Sequence, residues 1–400
     1  MFFLETKNKE DCYGCGACGL ICPCESMIMI EDEEGFAYPQ KSEESCKECG
    51  CCKKVCPNIS KSKITERVYP SKAYLAIHRD EEIVNKSSSG GVFSALTSAF
   101  FGGSYKVFGV EFDKDLNVKH SWASDREKMA GYRKSKYVFS DMGNSYEEAK
   151  AFLDAGEKVL FTGVPCQIAG LKLYLGKEVE NLLCGDVICH GAPSQKVFDW
   201  YIKYLENKHK GRVSSFTFRH KTYSWFKGWN SRNVKYSIGE ESFIYSSTVD
   251  PYLRGYHEGL FYRPSCYTCK YANPVRVSDI TMADFWGVDE LFPTIDVHKG
   301  CSVLLANTKK GQEWVNQLEA FMTIKEVGLR DVIIRNRQLR EPAKKHQGRE
   351  MFFSNLGKKD FKSMVKRCIP KEQITLRKTV VKLMPYKMKK MIKKLRNKSK

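Results

Sequence analysis

Eight cysteines near the start of the chain repeat one spacing twice. Each run has the form C-x2-C-x2-C-x3-C-P, and the two runs end at Pro23 and Pro57. Thiolates spaced in this way are ligands of 4Fe-4S clusters, and the fourth cysteine of each run reaches the cluster of the other run. We therefore predict one cluster on Cys12, Cys15, Cys18 and Cys56, and a second on Cys46, Cys49, Cys52 and Cys22.

The same cysteines fit other chemistry less well. Zinc usually binds two CxxC pairs rather than a triplet followed by CP, and disulfides need an oxidising compartment. The spacing is that of bacterial ferredoxins, so residues 1–65 are expected to form a ferredoxin-type domain. Whatever follows must then receive or deliver single electrons.

Further cysteines lie where strands of an α/β sheet are expected to end. Cys166 follows the strand Lys158–Phe161, and Cys189 follows the strand Leu182–Ile188. Cys266 and Cys269 form a CxxC loop just before another strand. Ligands of open α/β sheets collect beyond the carboxyl ends of the strands, so four thiols could meet there. A third cluster, a zinc site or unliganded buried cysteines all fit this spacing.

Three residues near these thiols need separate interpretations. Cys184 lies inside the strand and competes weakly with Cys189 as a ligand. His190 is expected to be a hydrogen-bond partner of a ligand rather than a ligand itself. Trp286 ends the strand after the CxxC loop, where flavin stacking and ordinary core packing are both open.

Two segments could bind phosphate. Ser87–Gly91 opens an apolar-periodic helix, and glycines and hydroxyls at a helix start leave backbone N–H groups open to an anion. The basic segment 133–140 could hold a pyrophosphate or an anionic flavin edge. An ordinary capped helix and a solvated basic loop are the alternatives.

The mixture of cations and rings at Arg219, His220, Lys221, Trp225 and Trp229 suits an anionic or sugar-like substrate, or a solvated sheet face.

The elements that must position these residues form an α/β fold. Strand and helix patterns alternate from residue 70 onward, and Arg212–Ser246 reads as an antiparallel β-rich insertion. With 400 residues and 42% hydrophobic content, two to three domains are expected. No signal peptide or membrane span is evident, and 17 cysteines suit metal ligation in a reducing compartment. A cytoplasmic location is expected.

The net charge of +19 is concentrated at the C-terminus. Residues 358–400 contain 17 Lys and Arg but 2 acidic residues, so the excess does not indicate a nucleic-acid-binding body. This basic amphipathic or disordered tail suits peripheral contact with an anionic membrane or an acidic partner.

Several ordered motifs resemble one known family. TGVPCQIAGLK, ICHGAPS, RPSCYTCKYANPVRVSDITMADFWG and SSGGVFSAL are similar to the coenzyme F420 hydrogenase/dehydrogenase beta-subunit family over residues 70–350. The resemblance implies an FAD-binding iron–sulfur body, in parts 70–165 and 166–350. It implies a third 4Fe-4S cluster on Cys166, Cys189, Cys266 and Cys269. It also implies flavin contacts at Ser89, Gly90, Gly91, Ser135, Lys136 and Tyr137.

The resemblance is to the bacterial branch associated with polysaccharide biosynthesis. Members that reduce the deazaflavin coenzyme have a small, glycine-rich strand end where this chain has Asp284-Phe285-Trp286-Gly287, so deazaflavin use is not implied. The leading hypothesis is a flavin-dependent reductase that takes electrons from ferredoxin or another redox protein, through the clusters and FAD, to a small-molecule substrate. The rivals are an electron-transfer beta subunit of a hydrogenase or dehydrogenase complex and a tail-mediated membrane or nucleic-acid scaffold.

Overall fold

The computed structural model describes residues 1–60, 71–100, 105–224 and 228–370. It is a mixed α/β structure with a small N-terminal module, a large mixed sheet and a separate antiparallel sheet, so the predicted fold class is confirmed. Within the described ranges, every helix is too short or too polar to span a lipid bilayer.

The N-terminal module has two similar halves around a hairpin. The helices α1 Phe3–Thr6, α2 Ala17–Leu20 and α3 Cys51–Lys54 accompany the antiparallel strands β1 Met27–Glu31 and β2 Ala37–Lys41. Gly16 and Gly50 precede α2 and α3 with φ of 80° and 71°, a conformation that glycine adopts without strain. The helices α2 and α3 carry the third cysteine of each triplet, Cys18 and Cys52, so the duplicated sequence folds into duplicated local structure.

The large sheet has eight strands in the order β13-β3-β12-β11-β7-β6-β4-β5. The strands are β3 Lys72–His78, β4 Tyr105–Phe112, β5 Val118–Ala123, β6 Lys158–Gly163, β7 Leu182–Val187, β11 Ile280–Asp284, β12 Ser302–Ala306 and β13 Met322–Val327. The four central strands β4, β6, β7 and β11 run parallel, and the flanking pairs are antiparallel. The carboxyl ends of four strands therefore meet at one edge.

Both faces of this sheet are covered. Phe108, Phe161 and Cys184 pack into one apolar cluster, whereas Leu160 and Leu183, which directly precede Phe161 and Cys184, pack into another on the opposite face. Strands buried on both sides are expected to be almost continuously apolar, as KVLF and NLLC are. The remaining helices are α4 Glu81–Lys86, α5 Val92–Ala99, α6 Arg126–Gly131, α7 Ser145–Asp154, α8 Pro165–Leu175, α9 Gln195–His209, α10 Pro251–His257, α11 Val288–Leu291, α12 Lys309–Leu318, α13 Leu329–Arg335, α14 Arg349–Ser354 and α15 Phe361–Cys368.

The predicted β-rich insertion is an antiparallel sheet of three strands. β8 Val213–Ser224, β9 Gly228–Ile238 and β10 Glu241–Ser246 pair in the order β10-β9-β8. Its inner face packs against α9 and α10 through a dense group of aromatic rings, including Phe198, Tyr201 and Tyr252. This packing places the bulge of β8 near residue 219 beside the edge of the large sheet.

Near the C-terminus, the structure contains two features that the sequence interpretation lacked, and it corrects one expectation. The edge strand β13 was not expected, because its alternating and highly charged sequence MTIKEV buries only Met322 fully. Arg349, which no sequence pattern singled out, is buried and pairs with Glu34 of the N-terminal module at 2.9 Å. The tail was expected from Lys358, but α15 buries Phe361 and Val365 in the aromatic core. Residues 371–400 lie outside the described ranges.

Candidate functional site

A large cavity lies at the carboxyl edge of the central parallel strands. Its walls include Thr162 and Gly163 at the end of β6, Val187 at the end of β7, and Met282 and Asp284 of β11. Including the part open to solvent, its unfilled space is about 1520 Å³. This is the position at which open α/β sheets bind their ligands.

Five of the six predicted flavin contacts line this cavity. They are Ser89, Gly91, Ser135, Lys136 and Tyr137. The two loops that carry them touch each other, since the Ser135 N–H donates to the Ser88 hydroxyl at 3.0 Å. The N-terminus of α5 opens into the same space at Gly91 and Val92.

Gly90, the sixth, is outside the cavity lining and has a packing role. A Cβ at this position would lie 2.3 Å from the Ala76 carbonyl oxygen and 2.8 Å from the Ser302 nitrogen. Its N–H donates to the Ser302 hydroxyl, and its carbonyl accepts from His78. The backbone of Gly90 thus packs against β3 and β12 more closely than a residue with a Cβ atom could.

Arg219 connects the insertion sheet to both loops. Its guanidinium pairs with both carboxylate oxygens of Asp284 at 2.7 and 2.9 Å. It also donates to the Tyr137 hydroxyl at 3.3 Å and to the Ser88 carbonyl at 2.9 Å. Its φ of 60° is rare for a residue other than glycine, and such strain is typical of functional sites.

Two lysines beside this cavity are easily neutralised. Burial, with Lys134 adding repulsion against the attraction of Glu111, lowers the pKa of Lys136 to about 7. Burial, with repulsion from Arg219, also lowers the pKa of Lys221 to about 7. Both ammonium groups donate only to backbone carbonyls in the hydrogen bonds described, so a phosphate nearby would restore their charge.

A buried network that the sequence did not indicate supports the turn after β6. The Ser140 hydroxyl lies 2.9 Å from Nδ1 of His120 and accepts from the Gln167 amide at 3.0 Å. Gln167 accepts from the Val164 N–H, and Nε2 of His120 lies 3.0 Å from the Thr162 carbonyl. Burial lowers the pKa of His120 to about 4, so the ring is neutral and can accept from Ser140.

The four strand-end thiols surround a second, smaller cavity. Its lining contains all four of the cysteines expected there: Cys166, Cys189, Cys266 and Cys269. In the described residues, no three His, Cys, Asp or Glu side chains converge as the ligands of one metal ion. Thiols set around a space, rather than meeting at a point, suit a multi-atom cluster. Cys184, the weak competitor, is instead a buried core thiol.

The chemistry of this cavity also fits a cluster. Burial raises the pKa of Cys189 to about 12, and burial with repulsion from Cys269 raises that of Cys166. Free thiolates are therefore unfavourable, and coordination to iron is what would hold these sulfurs deprotonated. The Ser265 hydroxyl, which lines the cavity, is buried and has no hydrogen-bond partner in the protein. An inorganic or cysteine sulfur would supply its missing acceptor.

A third cavity lies inside the N-terminal module. Its lining contains the crossed set predicted for the first cluster: Cys12, Cys15, Cys18 and Cys56. The other crossed set is also brought together, because Cys22 and Cys46 both act electrostatically on Cys52 and Cys22 also acts on Cys49. Cys49 is exposed, whereas Cys15 is buried. The second set is thus at the surface and the first faces the body.

The three cavities lie side by side. Cys189 and His190 form part of the wall between the large cavity and the four-thiol cavity. Tyr13 lines both the four-thiol cavity and the one in the N-terminal module. Its ring packs edge-on against Tyr271 at 5.4 Å.

Several residues at these walls carried no sequence signal strong enough to be singled out. Pro342 and Ala343 close the four-thiol cavity from a distant part of the chain. Arg263 lies three residues before Cys266, within a motif that was noted for its cysteines alone. Among the residues that the sequence did single out, Trp286 lines the large cavity and is 39% exposed, with Arg232 near its ring. Trp225 and the side chain of Trp229 lie outside the described residues.

Comparison with known proteins gives one family. No curated protein matches the chain significantly. The F420-reducing [NiFe] hydrogenase complex from Methanosarcina barkeri contains a chain that is 19% identical, with 67% of this chain and 90% of that chain covered, at a TM-score of 0.43. That score is too low to support a structural argument. Residues 156–331 match the family model for the C-terminal part of the beta subunit of coenzyme F420 hydrogenase/dehydrogenase.

This matched segment contains the four thiols, Arg219 and Asp284. The family is one of oxidoreductase subunits, so the chain has a role in oxidation and reduction. Residues 156–331 are therefore identified as a C-terminal segment of the coenzyme F420 hydrogenase/dehydrogenase beta-subunit type.

Proposed function

We propose that this protein is an iron–sulfur flavoprotein oxidoreductase. In this proposal, electrons pass from a ferredoxin-like donor through two 4Fe-4S clusters of residues 1–65, then through a third on Cys166, Cys189, Cys266 and Cys269, to FAD and a small-molecule substrate. When bound, the clusters supply one-electron transfer and the flavin couples it to the two-electron chemistry of an organic substrate.

The observation that carries the proposal is the continuity of the three cavities. The cysteine sets expected from spacing and resemblance line two of them, and the third is at the ligand-binding edge of the sheet. Tyr13 and Cys189 are each part of two linings, so neighbouring sites share the residues of their walls. Electron transfer requires cofactor sites that lie close together. Three sites with unrelated functions would not need to be adjacent.

The residues of the large cavity have distinct tasks in this proposal. The α5 N-terminus and the Ser89 and Ser135 hydroxyls would hold the pyrophosphate of FAD. The ammonium group of Lys136 would supply a positive charge near this pyrophosphate. Arg219 and Asp284 would fix the two loops against the insertion sheet, while Tyr137 is held by stacking on Tyr256 at 4.3 Å.

A second candidate function follows from the family description. The matching family consists of beta subunits, so the chain could transfer electrons within a hydrogenase or dehydrogenase complex and have no substrate of its own. Steady turnover of a small molecule by the isolated chain would favour the enzyme. Turnover only in a complex would favour the electron-transfer role.

The substrate is proposed from the resemblance to the polysaccharide-associated branch. Nucleotide sugars and the deazaflavin coenzyme are the two substrates to be compared, with reduced ferredoxin as the donor. Turnover of a nucleotide sugar would support a place in polysaccharide biosynthesis, whereas turnover of the deazaflavin alone would contradict it.

The test of the electron path is the variant Cys166→Ala. We expect anaerobically prepared Cys166→Ala to bind FAD. Reduced ferredoxin should no longer reduce that FAD, because one ligand of the connecting cluster is absent. Cys184→Ala is the matched control, since Cys184 is a buried thiol outside the four-thiol cavity. Undiminished flavin reduction in Cys166→Ala would disprove the path.

A further inference from the structure

Arg263 extends from the body of the protein to the first cysteine of the N-terminal module. Its backbone N–H donates to the Ala192 carbonyl at 3.0 Å, and its own carbonyl accepts from Cys266 at 2.9 Å. Its side chain donates from Nε to the Cys12 carbonyl at 2.7 Å and from Nη2 to the Cys12 sulfur at 3.4 Å. One residue therefore contacts ligands of two expected clusters.

The Arg263 guanidinium is buried, with 1% of the residue exposed. Within the described ranges, no carboxylate forms an ion pair with it, which distinguishes it from Arg219, Arg276 and Arg349. Its side chain also donates to the Ala37 carbonyl at 2.8 Å, and Cζ lies 4.3 Å from the ring centroid of Tyr38 and 5.5 Å from that of Phe36. A buried cation without a counter-ion is strongly unfavourable.

The local backbone is shaped to receive this group. A Cβ on Gly14 would lie 2.6 Å from Nη1 of Arg263, and the φ of Gly14 is +70°. Glycine therefore lets the guanidinium lie directly against the loop between Cys12 and Cys15. The second cysteine set has no comparable partner, because no described hydrogen bond joins an arginine to Cys22, Cys46, Cys49 or Cys52.

We propose that Arg263 raises the reduction potential of the cluster held by Cys12, Cys15, Cys18 and Cys56. This inference rests on the proposed function, because it requires that cluster to be present. Reduction adds one negative charge to the cluster, and burial opposes that charge. A fixed positive charge and a hydrogen bond to a ligand sulfur both favour the reduced form. Arg263 thereby offsets the burial of the cluster nearest the body and keeps it able to accept an electron.

The test compares a neutral and a charged replacement in the full chain. Arg263→Gln keeps hydrogen-bond donors but removes the charge, whereas Arg263→Lys keeps the charge. Redox titration of anaerobically prepared protein, followed by electron paramagnetic resonance, measures each midpoint potential. In Arg263→Gln we expect one cluster to shift to a more negative potential, with at least a tenfold change in its reduced-to-oxidised ratio, which is about 59 mV for one electron. Arg263→Lys should retain most of the native potential.

The control separates electrostatics from docking of the module. The double variant Glu34→Gln/Arg349→Gln removes the ion pair at the same interface without changing the net charge, and its potentials should equal those of the native protein. Should Arg263→Gln fail to retain iron, Arg263→Met is the second neutral variant.

Two results would overturn the inference alone: iron-loaded neutral variants with native potentials, or equal shifts in the neutral and lysine variants. A native chain without iron would instead overturn the proposed function, and the inference with it.

Discussion

The sulfur of Cys15 lies against Gly170, a residue of the helix that carries Cys166. A Cβ built on Gly170 would be 3.2 Å from both Cβ and Sγ of Cys15 and 2.8 Å from the Tyr146 hydroxyl oxygen. The N-terminal module is therefore in direct contact with helix α8, which carries Cys166, through a position that has no side chain. This contact makes the two sets of thiols parts of one arrangement rather than neighbours on separate domains.

We expect Gly170→Ala to weaken this contact. The added methyl must displace Cys15 or Tyr146, and overpacking of this kind costs about 1–3 kcal/mol of unfolding free energy. Thermal unfolding and iron retention measure the effect. Gly131→Ala is the control, since a Cβ there has no heavy atom within 4 Å. Equal stability and equal iron content in Gly170→Ala and Gly131→Ala would contradict the close contact between Gly170 and Cys15.

Ser265→Ala should have opposite effects in the two forms of the protein. Without iron, the variant removes a buried hydroxyl that has no partner, so it should be as stable as the native chain or more stable, by about 1 kcal/mol. With iron bound, loss of a hydrogen bond to sulfur should make the potential of one cluster more negative. Unfolding of the iron-free form and redox titration of the loaded form check both effects. An unchanged potential would exclude contact between Ser265 and a cluster.

FAD affinity should fall as the pH rises above about 7. Burial has lowered the pKa of Lys136 to about 7, so the free protein loses this charge there, whereas bound phosphate favours the protonated lysine. Binding above pH 7 then requires proton uptake, and affinity should decrease by up to about tenfold per pH unit. Fluorescence titration from pH 6 to pH 9 measures it.

Lys136→Arg is the control for this pH dependence, because arginine keeps its charge throughout the range. Lys221 has a pKa in the same range and is unchanged in both proteins, so the comparison isolates Lys136. The same slope in Lys136→Arg would assign the pH dependence to another group.

Asp284→Asn should loosen the flavin-binding loops. It leaves the buried Arg219 guanidinium without its carboxylate partner, at a cost of about 3 kcal/mol, and Arg219 also holds Tyr137 and Ser88. We expect a lower unfolding temperature and weaker retention of FAD on gel filtration. Asp289→Asn, at an exposed position five residues later, should leave both properties unchanged. Native flavin retention in Asp284→Asn would show that Arg219 does not organise the loops.

The sequence predicted much of this arrangement because its signals are local. The crossed sets of Cys12 and Cys22 follow from spacing, and Cys166 and Cys189 follow from the apolar strands that precede them. Parallel strands bring their carboxyl ends to one edge, so the meeting of Cys166 with Cys189 was also predictable. The expectation that Ser89 and Ser135 share one site came from the family resemblance, and both line the cavity beside Cys189.

The parts that were missed depend on contacts between distant segments. Arg263 meets Cys12 across most of the chain, and Arg349 meets Glu34 across still more. Gly90 has the same sequence appearance as a phosphate-binding glycine but is required by the approach of β3 and β12. β13 lacks an apolar pattern because it is an edge strand whose stability comes from pairing with β3.

The most direct test of the central claim is the content of iron, sulfide and flavin in the chain purified without oxygen. The account predicts a brown protein with about 12 iron atoms and about 12 sulfides per chain, as three 4Fe-4S clusters require, together with one FAD. Cys166→Ala should lose about a third of the iron while the N-terminal clusters remain. A colourless protein that contains zinc or no metal, and no flavin, would contradict the account.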